Sequence, residues 1–144
     1  EFLEFIREEL IPHIEANYRA DPSDRAIAGH SYGGLFPSYV LFNKPDTFHR
    51  YLLSSPSLWY DNEVLFQFEE DFWSKHKDLP VRMFISAGEN EPERLVIAYK
   101  KMVKLLTERA YIGLEWEYFD YRDEVHYAVF PASFTKGIIS IYKQ

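Results

Sequence analysis

Gly29-His30-Ser31-Tyr32-Gly33 sets a serine between two glycines, each two residues away from it. A serine hydroxyl becomes a nucleophile at neutral pH only when a base takes its proton, and that base is usually histidine. The pattern therefore directs attention to the five histidines and to the acids that would orient one of them. It has mechanical meaning where a strand runs into the turn and a helix runs out of it. Arg25-Ala26-Ile27-Ala28 reads as a short buried strand, and residues 31 to 42 read as a helix that ends at Asn43-Lys44-Pro45. In that setting the turn lifts the Ser31 hydroxyl clear of the sheet, and the N–H of Tyr32 at the helix start can stabilise an oxyanion. A Cβ at Gly29 or Gly33 is expected to crowd the turn.

Among the histidines, His13 on the opening helix and His76 near a polar helix end read as solvated. His49, just before a strand, reads as a surface or capping residue. His30 adjoins the serine, and its side chain should point away from the hydroxyl. His126 lies in the loop between the last strand and the last helix, where the base belongs in the chain order serine, acid, histidine.

The acid should follow the strand at residues 81 to 86, in Ser86-Ala87-Gly88-Glu89-Asn90-Glu91-Pro92-Glu93. Glu93 falls in the first turn of the next helix, where a carboxylate suits the helix dipole whatever its role. Glu91 has the reach to turn toward His126 and is preferred to Glu89, with Asp120 and Asp123 as fallback acids. Trp59 and Tyr60 follow the second strand at its C-terminal end, the edge at which open parallel sheets bind ligands. They are expected either to line an acyl or aryl pocket or to pack a helix–loop contact.

These residues need a frame, and the apolar spacing supplies one. Phe2, Phe5, Ile6, Leu10 and Ile14 predict an amphipathic helix over residues 1 to 19, kinked at Pro12. Strands are expected at 25 to 28, 51 to 54, 81 to 86 and 114 to 121. Further helices are expected at 61 to 76, 93 to 109 and 131 to 142. Strands alternating with helices of this length imply a mostly parallel sheet of about four strands with helices on both faces. No repeat or linker divides the chain, so it reads as one α/β domain.

Composition narrows the classes. The net charge is −7 and no basic stripe is present, so neither nucleic acid nor an anionic membrane surface has an electrostatic footprint. With no cysteine, thiolate metal sites, disulfides and cysteine nucleophiles drop out together. The histidines lack metal-ligand spacing, and no cofactor-binding loop is visible. Apolar runs fall well short of the ~20 residues of a spanning helix, which favours the cytoplasm or periplasm over a membrane-spanning protein. Twelve Phe, eleven Tyr and three Trp supply ample core. The chain starts in mid-pattern without Met, so the natural N-terminus is expected upstream.

Gly29 to Phe36, Lys44-Pro45-Asp46-Thr47-Phe48, Ser54-Ser55-Pro56-Ser57-Leu58-Trp59, Ser86 to Glu91, His126-Tyr127 and Pro131-Ala132-Ser133 together resemble a known esterase family. That family includes enterochelin-type siderophore esterases and the esterase D group. The resemblance spans nearly the whole chain and implies a partial α/β-hydrolase fold, the C-terminal portion of one domain. It implies Ser31 as nucleophile, His126 as base and Glu91 as acid, with Tyr32 giving one oxyanion N–H. The implied activity is hydrolysis of a small-molecule carboxylic ester, siderophore or aryl, through an acyl-enzyme. The alternatives are a non-catalytic binding or scaffold domain, and an acyltransferase using the same three residues.

Family members carry further strands before the serine turn and a loop giving a second oxyanion donor, and neither is present here. Loss of one such donor costs roughly 10²–10³ in rate in other enzymes. A bare sheet edge and a bare helix face are therefore expected, covered by a missing N-terminal half or by a partner chain.

Overall fold

Leu52, in the middle of a buried strand, separates from its neighbours Tyr51 and Leu53, and this alternation divides the molecule into two layers of packing. Tyr51 and Leu53 belong to the main core, whereas Leu52 packs with Phe84 and Ile141. Such alternation is the period of a strand covered on both faces.

The computed structural model describes residues 1–143. Its elements in chain order are α1 (Phe2–Phe5), a π-helical stretch (Ile6–Leu10), α2 (Ile11–Asn17), β1 (Ala26–His30), α3 (Tyr32–Asn43), a 3₁₀ turn (Pro45–Thr47) and β2 (Arg50–Ser54). α4 (Tyr60–Lys75), β3 (Arg82–Gly88), α5 (Glu93–Arg109), β4 (Glu115–Tyr121) and α6 (Val129–Ile141) follow. The four strands form one sheet in the order β1-β2-β3-β4, every neighbouring pair parallel. Parallel neighbours require a crossover of a dozen or more residues, and α3, α4 and α5 are those crossovers.

Helices α3, α4 and α5 bury Val40, Leu41, Leu65, Phe72, Leu95 and Met102 in the main core. α6 covers the opposite face. There Gly137 lies so close to the sheet that a Cβ would come within 2.7 Å of Leu52. In register, His30 lies beside Ser54 and Ser54 beside Ser86, so all the strands end at one edge. The loops leaving that edge carry the residues singled out above.

Two local expectations need correction. The opening helix is not simply kinked at Pro12. The turn before it widens, and the N–H of Ile11 reaches back to the carbonyl of Ile6. A proline ring collides with the carbonyl four residues earlier, here Glu8, and the wider turn makes room for it. The helix over residues 61 to 76 does not begin regularly either. Asp61, Asn62 and Glu63 have φ of 47°, 53° and 61°, a left-handed turn ahead of the regular helix. Glu63 is tied there to Lys101 of α5.

Among the described residues β1 has a strand on one edge only, and its Ala26 and Ala28 are exposed. Phe2 and Phe5, on the opening helix, are 62% and 45% exposed.

Candidate active site

Ser31 follows β1 directly and adopts φ 59° and ψ −123°, a conformation an L-residue keeps only when its surroundings dictate it. Those surroundings are specific. Its N–H donates to the carbonyl of Ser54 at 3.1 Å, and its carbonyl accepts from Gly34 and Ser57, each at 3.0 Å. A Cβ at Gly29 would lie 1.8 Å from the carbonyl oxygen of Gly33, so residue 29 must be glycine. The matching expectation for Gly33 fails, because a Cβ there meets nothing within 4 Å. The crowding is one-sided: the missing side chain of Gly29 faces Gly33's backbone, while that of Gly33 faces away from the turn. Gly34 is the second tight position, with Pro56 Cα 3.1 Å from its would-be Cβ.

The turn brings the Ser31 hydroxyl to 2.9 Å from Nε2 of His126, across 95 residues of chain. Nδ1 of His126 lies 2.7 Å from Oε2 of Glu91. The other oxygen of Glu91 accepts from the N–H of Gly88 at 2.6 Å and from the hydroxyl of Ser55 at 2.5 Å. The carboxylate is wholly buried, and the imidazole side chain keeps 14% of its surface open. Serine, imidazole and carboxylate thus form one continuous hydrogen-bonded chain, with the carboxylate end sealed from solvent.

Two loops hold the buried end together. The N–H of Glu89 donates to Tyr121 at 3.0 Å, and that of Asn90 donates to Glu124 at 3.1 Å. This pairing joins the acid's loop to the loop that delivers His126. Gly88 makes it possible, since a Cβ there would sit 2.4 Å from the carbonyl oxygen of Glu124. Glu89 and Glu93, like Asp120 and Asp123, are exposed and take no part in the hydrogen-bonded chain.

His30 does not touch the serine hydroxyl, yet its ring stacks on His126 with centroids 4.6 Å apart. Its Nδ1 lies 3.1 Å from the hydroxyl of Ser54. Burial, and after it the neighbouring His126, lower its pKa from the ordinary histidine value. Of the remaining histidines, His49, expected as a surface or capping residue, accepts the N–H of Arg25 at 3.1 Å through Nδ1. His13 bonds only within its own helix, and His76 stacks on Phe72.

Tyr32 opens α3, so its N–H has no acceptor within the helix and lies beside the serine. Its ring meets Trp59 and Tyr60 edge-on, with centroids 5.9 and 5.8 Å away. Arg94 covers the face of Trp59 at 3.9 Å. Trp59 also packs against the core, so the helix–loop contact expected for it exists, while Tyr60 is exposed. Among the described residues no group of three His, Asp or Glu side chains is arranged to hold a metal ion. Nor is any described helix long and apolar enough to cross a membrane.

Ser55 and Ser57 enter the sequence only as part of a motif, and nothing there assigns a role to them, to Arg94 or to the contact between His30 and His126. Ser54-Ser55-Pro56-Ser57 was legible as a run of small hydroxyl residues at a strand end, but its partners are distant in sequence.

Four parallel strands with helices on both faces, and a serine on a strained turn where one strand passes into a helix, define an α/β-hydrolase fold. A family profile described as "Putative esterase" matches residues 1–135. The chain belongs to that esterase family. It is 31% identical over 142 residues to the ferri-bacillibactin esterase BesA of Bacillus subtilis (strain 168), covering 95% of this chain and 49% of that protein. It is 30% identical over 165 residues to a siderophore enterobactin esterase of Emericella nidulans, covering 96% and 54%. The crystal structure of the BES protein from Bacillus cereus superposes with a TM-score of 0.88 at 31% identity, over 97% of this chain and 54% of that one. The chain spans about half the length of these relatives.

Proposed function

We propose that this chain supplies nucleophile, base and acid to a serine esterase, as the C-terminal portion of one α/β-hydrolase domain. The observation that carries this reading is the Ser31–His126–Glu91 relay, 2.9 Å at one link and 2.7 Å at the other. Ser31 Oγ attacks the ester carbonyl carbon while Nε2 of His126 takes the hydroxyl proton. Glu91 holds Nδ1–H, which fixes the tautomer and stabilises the imidazolium as it forms. The N–H of Tyr32 donates to the carbonyl oxygen as it becomes an oxyanion. When that intermediate collapses, the C–O bond to the alcohol breaks and His126 returns the proton to the departing oxygen. Water then attacks the acyl-serine, His126 takes its proton, and the acid leaves as Ser31 is reprotonated.

Esters of siderophores are the first substrates to try, because the curated relatives are siderophore esterases. In this reading Tyr32, which follows the serine, and the Trp59 and Tyr60 rings packed against it supply the acyl or aryl side of the pocket. The free edge of β1 and the exposed Phe2 and Phe5 are where the rest of the domain, or a partner chain, covers this half and brings a second oxyanion donor. In the full-length protein a fluorophosphonate should label Ser31 stoichiometrically, and Ser31→Ala should lower turnover of a short activated ester by at least about 10⁴-fold. Turnover that survives unchanged in Ser31→Ala refutes the reading.

A further inference from the structure

Ser54-Ser55-Pro56-Ser57 leaves the end of β2 between the nucleophile's strand and the acid's strand, and all four residues are buried. Its three serines meet the two ends of the relay. Ser54 accepts the N–H of Ser31, and Ser57 donates its own N–H to the carbonyl of Ser31. Ser55 reaches the other way, donating its hydroxyl to Oε1 of Glu91 at 2.5 Å.

Two features set Ser55 apart. A buried carboxylate needs donors on both oxygens, and Glu91 has only two on Oε1, the N–H of Gly88 and this hydroxyl. Together they fix the rotation of the carboxylate, which leaves Oε2 facing His126. Ser55 also has φ 43°, in the left-handed region where glycine is favoured and an L-side chain costs about 1–2 kcal/mol. A side chain is kept where the backbone prefers none.

We propose that Ser55 is a positioning residue for the acid: its hydroxyl holds one oxygen of Glu91 so that the other is aimed at Nδ1 of His126. The inference rests on the triad reading above. It assigns the β2 loop a role at both ends of the relay, through Ser57 at the nucleophile and Ser55 at the acid.

The test compares Ser55→Ala, Ser55→Gly and Ser31→Ala in the full-length protein with a short activated ester. A hydrogen bond to a charged group is worth enough that its loss should lower kcat roughly tenfold in both Ser55 variants, with KM little changed. The acid limb of kcat/KM should also move to lower pH, because a Glu91 no longer aimed at Nδ1 holds the imidazolium less firmly. The glycine variant separates the two roles of the residue, since glycine suits the backbone better than serine but brings no hydroxyl. Wild-type kcat and an unmoved pH profile in Ser55→Gly would overturn the proposal. So would failure of Ser55→Gly to fold, which would make the hydroxyl a structural element. Full turnover in Ser31→Ala would instead remove the triad reading and this proposal with it.

Discussion

Glu69 and Glu91 both keep their carboxylates entirely out of water, and they are satisfied by partners of different kinds. Glu69, on α4, faces a permanent cation. Nε of Arg109 lies 3.1 Å from its Oε1, and the Tyr111 hydroxyl donates to the same oxygen at 2.7 Å. Burial, and then Glu69 itself, raise the pKa of the Tyr111 phenol, which therefore stays protonated as a donor. Glu91 faces no permanent cation. Its partners are a backbone N–H, a serine hydroxyl and an imidazole.

The difference is chemical. A guanidinium keeps its charge at every accessible pH, and Arg109 binds Glu70 as well as Glu69, so the Glu69 cluster is permanently paired and serves packing. An imidazole cancels it only while holding an extra proton, which in the proposed cycle is the interval after His126 has taken one from Ser31 or from water. The anion at Glu91 is thus stabilised enough to exist buried, and stabilised further at the moment the base becomes charged. Two residues of one type, equally buried, differ in use because one pairs with a group that titrates and the other with a group that does not.

The sharpest way to break this comparison is to neutralise each carboxylate in turn. Glu91→Gln should lower kcat by roughly 10³–10⁴, because an amide can present a donor to Nδ1 and favour the wrong tautomer. Glu69→Gln should leave kcat unchanged. Steady-state rates of the two full-length variants on one activated ester decide the matter, and similar losses in both would erase the distinction.

Stability should run in the opposite sense. Removing one partner of a buried ion pair costs 3–5 kcal/mol where the remaining charge is fully shielded. Arg109 keeps 21% of its side-chain surface in solvent and retains Glu70 as a partner, so about 1–2 kcal/mol is the expected loss in Glu69→Gln. Urea unfolding of the same protein measures it. A midpoint unmoved by Glu69→Gln would mean that the cluster on α4 and α5 contributes nothing net.

The sequence was uneven in what it disclosed about these two sites. Glu91 was within reach because the strand-end Gly88 and the order serine, acid, histidine mark its loop, and α5 could be placed from the spacing of Leu95, Ala98, Tyr99, Met102 and Leu106. The four strands and the parallel arrangement were legible for the same reason, since their alternation with long amphipathic helices leaves few other solutions. Ser55 was not legible, because its meaning lies in a hydrogen bond to a residue 36 positions away. The Glu69–Arg109 pairing spans 40 positions and was equally hidden. Gly33 misled for a geometric reason: a symmetrical motif suggests symmetrical crowding, and only Gly29 faces backbone. The π-helical turn before Pro12 depends on how a helix relieves a collision, which the residue type alone does not specify.

The smallest effect expected is at His30, and it extends the comparison from carboxylates to imidazoles. His126 cycles its charge in the proposed mechanism, while His30, stacked on it, is held toward the neutral form by burial and by His126. A histidine whose folded pKa is lowered contributes stability that is complete above the unfolded value of about 6.5 and is lost as pH falls through it toward the folded value. Part of the acid-side loss of stability of this protein should therefore belong to His30. Replacing it with phenylalanine keeps a flat ring against His126 but removes the titration. The urea midpoint of His30→Phe should then fall less steeply than that of the wild type from about pH 7 to pH 5. Ser31 and His126 are still present, so turnover at pH 8 should largely persist. Parallel slopes for the two proteins would mean that the stacked imidazole carries no proton-linked stability, and that its ring alone is what the base leans on.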